Sequence, residues 1–212
     1  MMHDWPLYFC LFLALWSAVI GGVFSAFSEF IMAGLLRTAP SGGIEAMQHI
    51  NRTVIRTQFV AGILLIAPLS VLFAIYGLSA FEGPARSLLV LAPIVYLPTV
   101  FLMTMFGNVP MNNKLERLDH TSAEAKAYWA KYGRDWTRLN HIRSVGSIVT
   151  ALLYIMAAVT LAANADTDRD HNLANAISIE EGHPDSWRLK LAPQEQFCHR
   201  VVSAIGHADA YG

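Results

Sequence analysis

The chain has 212 residues, of which 54% are apolar and 15% charged, with a mean hydropathy of +0.39 and a net charge of −1. A soluble domain carries about 25% charged residues, so this composition points to lipid rather than water, and no Lys/Arg-rich stripe offers a nucleic acid its phosphate contacts. The cysteines Cys10 and Cys198 lie far apart and make neither a disulfide framework nor a Cys-x-x-Cys site.

Residues 5–28, 57–81, 87–113 and 144–165 contain no Asp, Glu, Lys or Arg. Each run suffices to cross a hydrocarbon core of about 30 Å at about 1.5 Å per residue. Only helices or closed barrels satisfy their backbone in lipid, and continuous apolar runs without period-2 alternation are helical. The expected fold is all-α, a four-helix transmembrane bundle with up-down topology over residues 1–163 and spans at about 7–36, 57–81, 87–109 and 141–163.

The first span continues past Glu29 to about Leu36. It lacks the basic leader of a cleaved signal peptide, since no Lys or Arg precedes Arg37. The second span contains Pro68, and the third contains Pro93 and Pro98, which predict a bend. Asn108–Asn113, around Pro110, reads as a helix stop. Trp5, Tyr8, Trp129 and Trp136 mark span edges. From residue 164 to 212 the chain is polar, reads as a flexible tail, and carries His171, His183, Cys198, His199 and His207 at spacings that fit no metal motif.

Basic residues set the orientation. The connections at 37–56 and 114–143 hold ten Lys/Arg, against Arg86 and, near the fourth span, Arg169 on the other side. The positive-inside rule then puts both basic connections in the cytoplasm of a cell-membrane protein and both termini outside.

In an up-down bundle the ends of spans one and three share a face with the starts of spans two and four. That brings Glu29, His49, Asn51, Asn108, Asn112, Trp136, Asn140, His141 and Arg143 to one side. A carboxyl such as Glu29, about 10 Å inside the helix end, must pair, face a wet cavity or take up a proton. Gly21, Ser25, Glu29 and Met32 share one helical face, and Arg143 is the expected partner of Glu29. Trp136, Asn140, Arg143, Ser147, Thr150 and Tyr154 recur at spacings of three and four, a polar stripe that belongs inside the bundle. The bland readings are an interhelical pin at Glu29, an Arg143 that snorkels to headgroups, and a simple helix stop at the asparagines. His49 and His141 alone make a weak haem or metal signal.

The stretches GGVFSAFSEFIMAGL at 21–35, GGIEAMQHINR at 42–52, GNVPMNNKLE at 107–116 and WTRLNHIRS at 136–144 resemble the anthrone-oxygenase-like family of small four-helix membrane proteins, over roughly residues 10–163. Asn-x-Pro-x-Asn and Trp-x-x-x-Asn-His-x-Arg are the most specific elements, and they match at Asn108, Pro110, Asn112, Trp136, Asn140 and Arg143. The resemblance implies oxidation of a polyketide anthrone to an anthraquinone by molecular oxygen, the activity of fungal members.

Two classes of function are compatible with these residues. In the first, the chain is an oxygenase for a lipophilic aromatic substrate, working without a bound cofactor or metal. Glu29 takes a proton from an acidic carbon or phenol, with His49 or His141 as second choices. Arg143 stabilises the resulting enolate-like anion with Asn108 and Asn112. His49, Asn51, Asn108, Asn112, Trp136, Asn140 and His141 bind the substrate. In the second, the same cluster serves a non-enzymatic binding, transport or accessory protein. The expected partners are the bilayer, a lipophilic small molecule and oxygen, with a homo-oligomer left open and nucleic acid excluded.

Overall fold

The computed structural model describes residues 5–181, and among them no strand occurs. The order is α1 (Trp5–Ala26), a π-helical turn (Phe27–Ile31), α2 (Met32–Arg37), α3 (Pro40–Val54), α4 (Gln58–Ala80), α5 (Gly83–Tyr96), a longer π-helical stretch (Leu97–Asn108), α6 (Val109–Glu116) and α7 (Ala123–Glu181). Four helical stretches are long and apolar enough to cross a membrane: Trp5–Arg37, Gln58–Ala80, Gly83–Glu116 and Ala123–Asn172. These coincide with the four charge-free runs, the second helix stopping one residue short of its run at each end.

The helices run on where the sequence suggested connections. The basic connection at 114–143 is helical apart from a short turn after Glu116, and α7 also extends to Glu181 through the start of the polar tail. The cluster His183, Cys198, His199 and His207 lies outside the described residues. The helix stop expected at Asn108–Asn113 is a junction instead. Pro110 falls in the first turn of α6, directly after the π-helical stretch, and the helix runs on through it. The connection at 37–56 holds α3, which opens with Pro40 in its first turn. Its inner face, Ile44, Met47, Gln48 and Asn51, has helical spacing.

Two apolar cores result. The larger lies among the spans, around Leu13, Ile20, Phe24, Ile63, Ile66, Phe73, Tyr96 and Tyr154. Trp5 and Phe9 near the start of α1 meet Phe73 near the end of α4, and Phe24 near the end of α1 meets Phe59 at the start of α4. These two helices therefore run in opposite directions. Glycines permit close approach: a Cβ on Gly62 would overlap the Trp16 indole, and one on Gly146 would overlap Thr99. Gly83, at φ 63°, turns the chain from α4 into α5.

The smaller core is a cap formed by Met32, Ile44, Met47, Leu115, Ala125, Trp129, Tyr132 and Trp136. It joins α2, α3, α6 and the first turns of α7. Gln48, buried on α3, donates from Nε2 to the carbonyls of Leu115 and Leu118, both at 2.9 Å, and so ties off the end of α6. Ser122 caps α7 by accepting from the Ala125 N–H at 3.1 Å. Asp119 accepts from the backbone N–H of Thr121 at 2.9 Å and from its hydroxyl at 2.8 Å. Those two bonds, the backbone one first, hold its carboxyl below the ordinary value.

Candidate functional site

The polar stripe of α7 faces inward as its spacing predicts. Trp136, Asn140, Arg143, Ser147, Thr150 and Tyr154 are all buried. Arg143 does not snorkel; it is 5% exposed.

The arrangement around Arg143 is built from fixed hydrogen bonds. One guanidinium nitrogen donates to Asn140 Oδ1, and another donates to Thr104 Oγ1 at 3.3 Å. The Thr104 hydroxyl itself donates to the Val100 carbonyl at 2.7 Å, so toward Arg143 it acts as an acceptor. Asn140 donates from Nδ2 to the Phe24 carbonyl at 2.6 Å and to Ser28 Oγ at 2.7 Å. A carbonyl only accepts and a guanidinium only donates, so the orientation of the Asn140 amide is determined. Phe24 precedes the π-helical turn, where the ordinary i→i−4 ladder is interrupted and a carbonyl can turn toward a side chain. The guanidinium carbon sits 4.1 Å from the Phe24 ring centroid and 5.5 Å from that of Trp136.

Among the described residues no carboxylate pairs with Arg143. Glu29, its expected partner, is exposed and lies in the π-helical turn. That turn holds one residue more than an α-turn, which rotates the downstream helix by about 100°. The expected face is broken accordingly, with Gly21 and Met32 buried but Glu29 outside.

Arg143 borders a cavity of about 310 Å³. Its walls are mostly apolar: Phe24 and Phe27 from the first span, Met47 and Ile50 from α3, Phe59 and Ile63 from α4, Met105 from the third span. The polar residues on the wall are Asn51, Arg52, Thr104, Asn108, Asn112, Asn113, Glu116, Trp136 and Arg143. Small-molecule sites of this mixed kind run from about 300 to 1,000 Å³, so the cavity suits a compact ligand.

The polar wall groups are ordered from behind. Asn112 Oδ1 accepts from the Tyr132 hydroxyl and from Trp136 Nε1, each at 2.8 Å. An indole N–H only donates, so the Asn112 oxygen must face Trp136, and its NH₂ is left for other acceptors. Asn108 donates from Nδ2 to the Trp136 carbonyl at 3.2 Å. Three side-chain atoms of wall residues, Asn108 Oδ1, Asn51 Nδ2 and Arg143 Nε, are buried without a protein partner. At the rim, Arg52 Nε and Glu116 Oε1 form an ion pair at 2.7 Å, both partly exposed.

Of the predicted site residues, Asn51, Asn108, Asn112, Trp136 and Arg143 line this one cavity, and Asn140 holds Arg143 in position. Glu29, His49 and His141 do not line it, and all three are exposed. His141 borders a separate, more open groove with Ser28, Arg134 and Arg138. Sequence reasoning missed Phe24, Thr104, Glu116 and Tyr132. The periodicity of Ala125, Trp129, Tyr132 and Trp136 was a readable signal for Tyr132; an isolated Thr104 in an apolar run gave none.

Residues 51–153 match the family model described as Anthrone oxygenase. The match takes in the wall residues from Asn51 through α4, the third span and α7, and it begins after the first span. No curated protein and no solved structure matches the chain.

Proposed function

We propose, for a chain that is anthrone-oxygenase-like over residues 51–153, that the cavity binds a lipophilic aromatic molecule by an oxygen that becomes anionic and that molecular oxygen oxidises the molecule there. The observation that carries this reading is Arg143: a buried guanidinium without a carboxylate, laid against two aromatic rings on the wall of an apolar cavity. A buried charge costs several kcal/mol unless it is paired. A ligand oxygen that gains negative charge during reaction supplies the missing partner. The interaction then strengthens as the enolate forms, which is the condition for lowering a barrier.

The aromatic walls fit a flat ring system. The Asn112 NH₂, oriented by Tyr132 and Trp136, adds a second donor. An enolate delocalised over fused rings is electron-rich enough to reduce oxygen by one electron and then combine with it at carbon. A methylene thereby becomes a carbonyl and one water is released. The four apolar helices support a multi-pass membrane protein, a setting into which such a substrate partitions. The basic residues at 37–56 and 114–143 support a cytoplasmic position for that side. Reporter fusions in the 117–122 turn should read as inside and fusions beside Gly83 as outside; the reverse pattern overturns the orientation.

The direct test uses protein in mild detergent. Anthrone loss and oxygen uptake are followed beside a heat-killed sample, which accounts for spontaneous oxidation. Turnover above that control is the expected result. Rates equal to the control, with saturable anthrone binding retained, would refute oxygenation and leave a ligand-binding protein.

A further inference from the structure

The proposed oxidation needs a base, and we infer that Glu116 is that base. The inference rests on the oxygenase reading and adds to it the group that takes the proton. Arg52, Glu116 and Arg143 are the ionisable side chains on the cavity wall. Arginine stays protonated in proteins, so Glu116 is the one of the three that accepts a proton. Glu29, His49 and His141 are excluded by position, since none of them borders the cavity.

The placement of Glu116 suits the task. Asn108, Asn112 and Glu116 recur at intervals of four, so they share one helical face, and all three line the cavity. The donors that stabilise the anion and the group that creates it thus share a helix, with Arg143 contributed by α7. Arg52 engages Oε1 of Glu116 at 2.7 Å and so fixes the carboxylate at the rim. The side chain is 38% exposed, which gives the acquired proton a route to water.

Protons and electrons balance through the whole cycle. Glu116 takes a proton from the acidic methylene, and the C–H electron pair enters the enolate whose oxygen lies at Arg143. The enolate passes one electron to O₂, and the two radicals join to form a C–O bond. The resulting peroxide anion takes the proton back from Glu116 as a hydroperoxide. The Glu116 carboxylate then removes the second proton from the same carbon. The C=O bond forms, the O–O bond breaks, and hydroxide leaves to take the proton from Glu116 as water. Glu116 ends unprotonated, one O₂ is consumed, and the methylene carbon is oxidised to a carbonyl.

The test compares wild type with Glu116→Gln, Glu116→Asp and Arg52→Gln, using anthrone with and without deuterium at its methylene and measuring anthrone affinity by tryptophan quenching. For Glu116→Gln, kcat should fall by about 10²–10⁴, the usual worth of a general base, with anthrone affinity within about threefold of wild type and a larger deuterium effect on kcat. Glu116→Asp should recover part of the loss. Arg52→Gln, which breaks the same ion pair and keeps the carboxylate, should lose far less. A folded Glu116→Gln with wild-type kcat overturns the inference and leaves the oxygenase reading standing. Equal losses in Glu116→Gln and Arg52→Gln overturn it as well, since the ion pair alone would then explain them. A wild type with no turnover removes the oxygenase reading and this inference together.

Discussion

Replacing Arg143 by methionine separates a binding cation from a structural pin. The substitution keeps the length of the side chain and removes the charge. The structure gives opposing terms. The variant loses two hydrogen bonds, to Asn140 and Thr104, and the contacts over Phe24 and Trp136; the latter are worth about 0.5–2 kcal/mol. It gains relief from burying a charge with no carboxylate nearby, a term of several kcal/mol. Replacing a whole buried ion pair by well-packed apolar groups is neutral or stabilising by about 1–4 kcal/mol, and among the described residues Arg143 has no carboxylate partner that its removal would leave charged. The expected outcome is an empty protein whose stability falls by no more than about 1 kcal/mol, or rises. Anthrone turnover, in contrast, should drop by about 10²–10³, the cost of one lost donor to a developing oxyanion. Thermal unfolding in detergent and the oxygen-uptake assay read the two quantities on one sample. A fall in stability above about 3 kcal/mol, the size seen when one member of a buried pair is removed, would refute the argument and make Arg143 part of the scaffold.

The packing carries further consequences. Gly146→Val places a branched side chain where Thr99 already stands; overpacking of this kind costs about 1–3 kcal/mol, and a lower unfolding temperature should show it. Gln48→Leu leaves the carbonyls of Leu115 and Leu118 without their donor. A loss of about 1–3 kcal/mol is expected, with faster amide exchange at the end of α6. The Asp119 carboxyl is held low by Thr121. Its contribution to the turn is therefore fully present above the unfolded-state value of about 3.9 and is lost as pH falls through the lower folded value. The Thr121 amide should keep its protection from exchange at pH 5 and lose it in stronger acid, and Asp119→Asn should abolish that dependence.

The spans were legible because an absence of charge over more than twenty residues has few other meanings. The inward face of α7 was legible too, since a polar residue every three or four positions in an apolar helix has nowhere else to go. The same logic failed for Glu29. It assumed 3.6 residues per turn through a segment that turns more widely, and no residue in Phe27–Ile31 announces that change. The cap was hidden for a different reason. Its helix α3 buries Gln48 and Asn51 beside Ile44 and Met47, so its inner face looks half polar, and its arginines drew attention to topology instead. Glu116 was invisible because its place on the cavity depends on α6 continuing past Pro110, where a stop had been expected.

The wide turn at Phe27–Ile31 also acts as a phase shifter between two structures. Before it, α1 is in register with the bundle through Leu13, Ile20 and Phe24. After it, Met32 is in register with the cap through Ile44 and Trp129. Deleting one residue inside the turn would restore ordinary helical pitch and swing Met32 by about 100°. The bundle would keep its contacts while the cap lost its anchor on the first span. The roof over the cavity, which includes Met47 and Asn51 of α3, is thus phased against the first span by a single surplus residue. Sequences that align across this stretch with a one-residue gap should differ in how that roof closes, even where every cavity residue is the same.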